Sequence, residues 1–152
     1  MTRILAKLIP YERVIIRTSL SVDTIRHRLY MEIKPVETLF FPLFSNDKPY
    51  SGKITELGFK IMRSIKGRNS FLPLVKGVVE KDSDGSVIYI TMTLHPFIIA
   101  SIIVMILSII MSIGWNGLGI VAFLYVLCEV FFWLEVAKTN EFLNKLFQND
   151  EE

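Results

Sequence analysis

The run Phe97-Ile-Ile-Ala-Ser-Ile-Ile-Val-Met-Ile-Leu-Ser-Ile-Ile-Met-Ser-Ile113, the link Gly114-Trp-Asn-Gly117 and the run Leu118-Gly-Ile-Val-Ala-Phe-Leu-Tyr-Val-Leu-Cys-Glu-Val-Phe-Phe-Trp-Leu-Glu-Val136 decide the class of this chain. From Gly85 to Cys128 there is no Asp, Glu, Lys or Arg. A helix rises ~1.5 Å per residue and the hydrocarbon of a bilayer is ~30 Å thick, so about 20 apolar residues cross it. Phe97–Ile113 is slightly short and reaches that length if Thr91–Leu94 or the link adds depth. A buried helix of a soluble protein would show a polar face, and Phe97–Ile113 has none. The pattern predicts a transmembrane helical hairpin. Pro96 suits the first turn of a helix, which needs no N–H from it. Gly114, Asn116, Gly117 and Gly119 supply the reversal. A link this short makes the two helices antiparallel neighbours and leaves both chain ends on one side.

Charge supplies the orientation. Residues 1–96 carry 15 Lys/Arg against 9 Asp/Glu, a net +6, and residues 97–152 carry 2 against 6, a net −4. A basic region beside a membrane span is expected on the cytoplasmic side. The excess is moderate and evenly scattered along the sequence, so nucleic acid is not an expected partner. Cys128 is the only cysteine, which excludes an internal disulfide and suits a reducing compartment. The first ten residues hold no apolar run of signal-peptide length, so the hairpin is expected to act as its own insertion signal. Trp115 and Trp133 stand 18 residues apart. That is roughly 27 Å along a helix, one indole near each interface.

Few polar groups fall inside the apolar runs. Ser101, Met105, Ser108 and Ser112 share a face of the first helix, and Gly119, Ala122, Val126, Glu129 and Trp133 share one of the second. Small residues let helices approach closely in lipid, so these faces are expected to form the seam, with Ser101, Ser108, Ser112 and Glu129 as its polar or assembly positions. A carboxylate at the depth of Glu129 is costly if ionised and lipid-facing, so it is expected to turn toward Ser101 or a partner subunit. Glu135 is expected to lie near His95 at the cytoplasmic interface. Two such residues are too few for a metal site.

The preceding region reads as a small α+β domain, residues 1–95. Arg13–Ser19 is β-branched and reads as a strand. Ser21 suits the N-cap of a helix running to about Glu32, with Val22, Ile25, Leu29 and Ile33 as its apolar stripe. His27 falls on another face. Leu39–Pro49, aromatic and proline-containing, reads as a loop over the core. Gly52–Glu56, Phe59–Ile65, Phe71–Glu80 and Ser86–Leu94 read as further strands. Arg63 interrupts the apolar face of the second of these. Lys81-Asp-Ser-Asp-Gly85 is a strong hairpin turn. The expected fold is a small antiparallel meander sheet with one N-terminal helix. A transmembrane hairpin follows (residues 96–137, spans about 96–113 and 118–136), then a short cytoplasmic amphipathic helix and acidic tail, residues 138–152. Lys66–Pro73 combines turn residues with two cations. Its Arg68 and Asn69 are the candidates for contact with a partner or with lipid phosphate.

The run Gly52…Phe59-Lys-Ile-x-Arg63…Arg68-Asn-Ser-Phe-x-Pro73…Gly77…Asp84-Gly85…Ile90…Met92…Leu94-His95-Pro96 resembles a loose pattern in small bacterial membrane proteins of uncharacterised activity. Those proteins place an N-terminal cytoplasmic β-rich domain before a two-helix hairpin. The resemblance implies a fold and a topology, both termini cytoplasmic in the bacterial inner membrane, and no activity or substrate.

Catalytic material is sparse. No glycine loop of phosphate-binding spacing occurs, no Cys/His cluster occurs, and two histidines leave little for a nucleophile and its base. The expectation is a non-enzymatic binding or assembly module without cofactor or metal. Its expected partners are membrane lipids and either a second copy of itself or a membrane or cytoplasmic protein. An oligomeric channel or membrane-perturbing effector built on the hairpin is the alternative.

Overall fold

The computed structural model describes residues 9–36, 48–64 and 71–148. Arg68, Asn69 and most of the Leu39–Pro49 segment lie outside the described residues. The elements in order are β1 (Tyr11–Thr18), α1 (Val22–Glu32), β2 (Ile33–Pro35), β3 (Tyr50–Thr55), β4 (Gly58–Arg63), β5 (Leu74–Asp82), β6 (Gly85–Thr93), α2 (Pro96–Ile113), a 3-10 turn Gly114–Gly117 and α3 (Leu118–Phe147).

The strands make one six-stranded sheet in the order β1-β6-β5-β4-β3-β2. It is a mixed sheet and not a meander. β3 to β6 follow one another as antiparallel neighbours, but β1 crosses to the far side of β6, and β2 lies parallel to β3. Those two pairings join residues distant in sequence, which alternation within a strand cannot reveal. Among the described residues no helix precedes the sheet. α1 follows β1, with the Ser21 hydroxyl accepting from the Thr24 N–H at 3.2 Å as its N-cap. It ends at Ile33, which turns extended and pairs with Tyr50 as the first residue of β2.

One face of the sheet is covered. Phe59, Ile61, Val75, Val79, Ile88, Ile90 and Met92 point into the core. They meet Ile25 and Leu29 of α1 and Phe132, Val136, Leu143 and Phe147 of α3. The β5–β6 hairpin closes through Ser83-Asp84, and Gly85 has φ +146, where the Thr18 carbonyl occupies the space a side chain would need. Gly77 faces the core opposite Phe59, whose ring lies where a Cβ would stand.

α2 and α3 are both long and apolar enough to cross a membrane. The separate amphipathic helix expected over Lys138–Phe147 does not exist as such. α3 runs unbroken for 30 residues, about 45 Å at helical rise. From Ile120 to Phe147 it contains neither glycine nor proline, so nothing stops it. Its character changes along its length. Before Phe132 it is mostly exposed. After it, Glu135, Val136, Thr139, Leu143 and Phe147 form a buried stripe at helical spacing.

Candidate functional site

The second half of α3 lies along the strands on the covered face. Glu135 sits at the end of β4 from which the chain reaches α2, and Phe147 lies near the opposite end beside Phe59, ring centroids 6.1 Å apart. Glu135 is buried, and both of its oxygens meet cations. Arg63 Nη1 donates to Oε2 at 2.7 Å and Lys138 Nζ to Oε1 at 3.0 Å. Phe59, Ile61 and Arg63 have the same parity in β4, so Arg63 does not interrupt the inward face. It occupies an inward position because a carboxylate from α3 arrives there. Beside it the Tyr50 hydroxyl donates to Thr139 Oγ1 at 3.2 Å, and the Tyr50 ring stacks on Phe142 at 4.2 Å. Burial holds the Tyr50 phenol above its ordinary value. The Glu135 charge adds to the shift, and the Thr139 bond and the Arg63 charge oppose it. At the other end Arg28 Nη1 donates to the carbonyls of Leu146 at 3.0 Å and Gln148 at 2.9 Å, and Thr18 Oγ1 donates to that of Phe147 at 2.9 Å. These groups satisfy carbonyls that a helix end leaves unpaired.

Glu135 and His95, expected to lie near each other, each have a local partner of their own. Arg63 and Lys138 hold the carboxylate, while His95 Nδ1 accepts from the Phe97 N–H at 3.2 Å and caps α2. Partial burial and the nearby Lys60 ammonium hold the imidazole below its ordinary value. The strongest signal for the true pairing was positional: Arg63 continues the inward alternation of Phe59 and Ile61.

In the apolar half, the serine face is not the seam between α2 and α3. Ser101 and Ser108 are exposed and donate to the carbonyls of Phe97 and Val104 one turn back, each at 2.9 Å. Ser112 is exposed too. The half-covered positions of α2 are Ile98, Ile102, Ile106 and Ile109, and Ile102 packs against the cluster that contains Cys128. Glu129 does not turn to Ser101. Its Oε2 accepts from Trp133 Nε1 at 2.9 Å, and its Oε1 is buried with no hydrogen-bond partner among the described residues.

The other face of the sheet is exposed over its middle, and its residues follow from the register. Nearest α2 the face is covered, and Met62, Leu72 and Leu74 form a small buried apolar cluster there. Next comes a transverse row in which Lys53 pairs with Lys60, Lys60 with Lys76, Lys76 with Thr91 and Thr91 with Arg13. Beyond it Val78, Tyr89 and Ile15 stand side by side and exposed. Charges scattered along the sequence are thus gathered on one surface. The acids of this face, Glu80 and Asp82, lie at the opposite end near the β5–β6 turn.

Among the described residues no group of three or more His, Cys, Asp or Glu is placed to hold a metal ion. No protein-family model matches the chain, and no curated protein and no solved structure does either.

Proposed function

We propose that the chain is a two-pass protein of the bacterial inner membrane, with both ends cytoplasmic, whose folded domain is a non-enzymatic binding or assembly module held rigidly at the inner leaflet. One observation carries this reading. α2 has no charged residue and yet none of its residues is buried, while α3 continues without a break from the same apolar hairpin into the domain core. The apolar core helix of a soluble protein would be covered, because each exposed Leu or Ile side chain forgoes about 1.5–3 kcal/mol of burial. A bilayer covers α2 and the first half of α3 without further contacts. The second half of α3, packed on the sheet, then fixes the domain to the anchor as one body. The basic charge of residues 1–96 supports the cytoplasmic side.

Topology is tested with single cysteines in a Cys128→Ser background. On intact spheroplasts an impermeant maleimide is expected to label Asn116→Cys at once and Asp84→Cys only after permeabilisation. The reverse order overturns the orientation, and equal labelling overturns the span. The module reading is tested by the size of the full chain in mild detergent. A defined self-assembly or a stoichiometric complex is expected, lost on Ile15→Ala with Tyr89→Ala while membrane retention persists. If only hairpin substitutions change the assembly, the module reading fails.

A second reading, an oligomeric channel or membrane-perturbing effector, is favoured by one feature. Among the described residues Glu129 Oε1 is a buried acceptor without a hydrogen-bond partner in the apolar half, and Ser101, Ser108 and Ser112 lie on an exposed side of α2. Ion flux through liposomes that falls on Glu129→Gln supports this reading. Absence of flux at every protein density excludes it.

A further inference from the structure

We propose that the exposed row Lys53, Lys60, Lys76 and Arg13, on the sheet face away from α3, is a docking surface for anionic phospholipid headgroups. This rests on the membrane reading above and names a partner for the domain.

The register creates the row. In an antiparallel sheet, directly opposed side chains have Cβ atoms ~4.5–5.5 Å apart, and like charges so placed repel. Here three lysines stand opposite one another across three strands, β3, β4 and β5. Arg13 extends the row beyond Thr91. Among the described residues none of these four cations meets a carboxylate. A fold that brings three ammonium groups together with no carboxylate beside them among the described residues invites an anion from outside.

The position of the row selects which anion. β6 reaches α2 through Leu94 and His95 alone. The row is one residue pair back from the Thr93 end of the strand, about 7 Å. Lys60 is close enough to His95, the cap of α2, for its charge to disfavour the imidazolium. α3 lies along the strands, with Glu135 at the α2 end and Phe147 at the other, so a bilayer around the hairpin meets the α2 end of the sheet first. On this face the buried cluster Met62, Leu72 and Leu74 lies nearest the hydrocarbon, and the exposed cations follow just above it. Long basic side chains reach a headgroup layer from that height while their stems stay on the sheet. A negatively charged leaflet attracts such a cluster over roughly a Debye length. RNA or an acidic peptide offers similar charge but has no reason to meet a row tied to the end of the anchor. The acids Glu80 and Asp82 sit where a membrane would not reach.

The test uses the full chain in vesicles with two spin labels in a Cys128→Ser background, at Thr91→Cys within the row and at Val104→Cys on α2. In phosphatidylcholine with added phosphatidylglycerol, the Thr91 label is expected to collide severalfold more with headgroup-chelated nickel than in phosphatidylcholine alone. Lys53→Gln, Lys60→Gln and Lys76→Gln together are expected to remove that gain. If the Val104 label reports hydrocarbon while the Thr91 label ignores phosphatidylglycerol, the docking surface is overturned and the anchor stands. If the Val104 label reports water, both readings fall. Protection of Thr91 by RNA or an acidic peptide, with no response to lipid charge, also overturns the proposal. A second measurement does not depend on the labels. Lys60→Gln relieves repulsion from both neighbours and is expected to raise the Tm in neutral detergent. That gain is expected to vanish in bicelles containing phosphatidylglycerol, and an equal gain in both media counts against lipid as the counter-charge.

Discussion

α3 holds two environments in one continuous helix. Leu118–Phe131 is apolar but for Glu129 and leaves large side chains such as Phe123 and Val126 uncovered. Phe132–Phe147 carries acids, amides and lysines on one side and a buried stripe on the other. The backbone is the same in both halves, so what differs is the solvent each is built for. The first half needs a medium that covers apolar surface all round. The second half makes its own cover by lying on a sheet. Joining them without a hinge makes the apolar hairpin a structural member of the domain, because the domain loses part of its core if the helix leaves.

Two phenylalanines of this helix give the sharpest contrast. Phe132 is fully buried and Phe123 is 63% exposed. Phe132→Ala is expected to destabilise the domain by about 3–5 kcal/mol, through lost burial and the cavity left behind. Phe123→Ala is expected to change it by no more than about 0.5 kcal/mol in detergent, since no domain contact is lost. Thermal unfolding of both variants in one detergent checks this. Equal losses would mean that the two halves are packed alike and that the division at Phe132 is wrong.

The Glu135 junction is where the halves meet, and breaking it comes next in size. Arg63→Leu removes the shorter of the two ion contacts and leaves a buried carboxylate with Lys138 alone. That is expected to cost roughly 3 kcal/mol, as for other buried pairs stripped of one partner. Replacing both residues, Arg63→Leu with Glu135→Leu, is expected to recover most of the loss, because an apolar pair of similar volume needs no desolvation. Denaturant titration of the singles and the double measures the coupling. Recovery in the double would assign the pair to specificity of docking rather than to net stability. Maleimide labelling at Asn116→Cys is expected to be unchanged in all three, since the apolar half does not depend on the junction.

What was legible in the sequence follows the range of the interactions. The apolar runs, the Gly114–Gly117 reversal, the Ser21 cap and the tight turn before Gly85 are set by residues near one another, and periodicity shows them. Ile88, Ile90, Met92 and Leu94 declare the inner face of β6 by alternation alone, and all four are buried. The pairing of β1 with β6 and the parallel β2–β3 contact depend on chain separated by many residues, so no local pattern holds them. The continuity of α3 was legible in the absence of Gly and Pro after Gly119, but the lysines and acids near its end suggested a boundary. They are instead the solvated side of a docked helix. The serine face suggests a seam because small residues pack well in lipid, whereas the less exposed positions of α2 are the isoleucines at 98, 102, 106 and 109. Arg63 carried a readable signal in its parity, and its partner lay 72 residues away. The lysine row was invisible until strand register set Lys53, Lys60 and Lys76 side by side.

The smallest expected effect separates the docked half from the apolar one by pH. Tyr50 belongs to the junction, 2% exposed, with its hydroxyl on Thr139 and with Arg63 and Glu135 nearby. Burial raises its phenol above the value near 10 that the unfolded chain has. Below that value Tyr50 is protonated in both states, and its contribution to stability is fully present. Above it the unfolded chain releases the proton first, so stability falls as the pH climbs from about 10 through the raised folded value. Tyr50→Phe keeps the stack on Phe142 and gives up the Thr139 bond, which is expected to cost about 1 kcal/mol at neutral pH. The variant has no phenol at this position to titrate, so its deficit is expected to shrink as the pH rises beyond 10. Every other tyrosine and lysine contributes equally to both proteins and cancels in the difference. Melting curves of the two chains across that range therefore isolate Tyr50. A deficit that stays constant to the alkaline limit would mean that the phenol ionises as freely in the fold as outside it, and that the second half of α3 does not seal this end of the sheet.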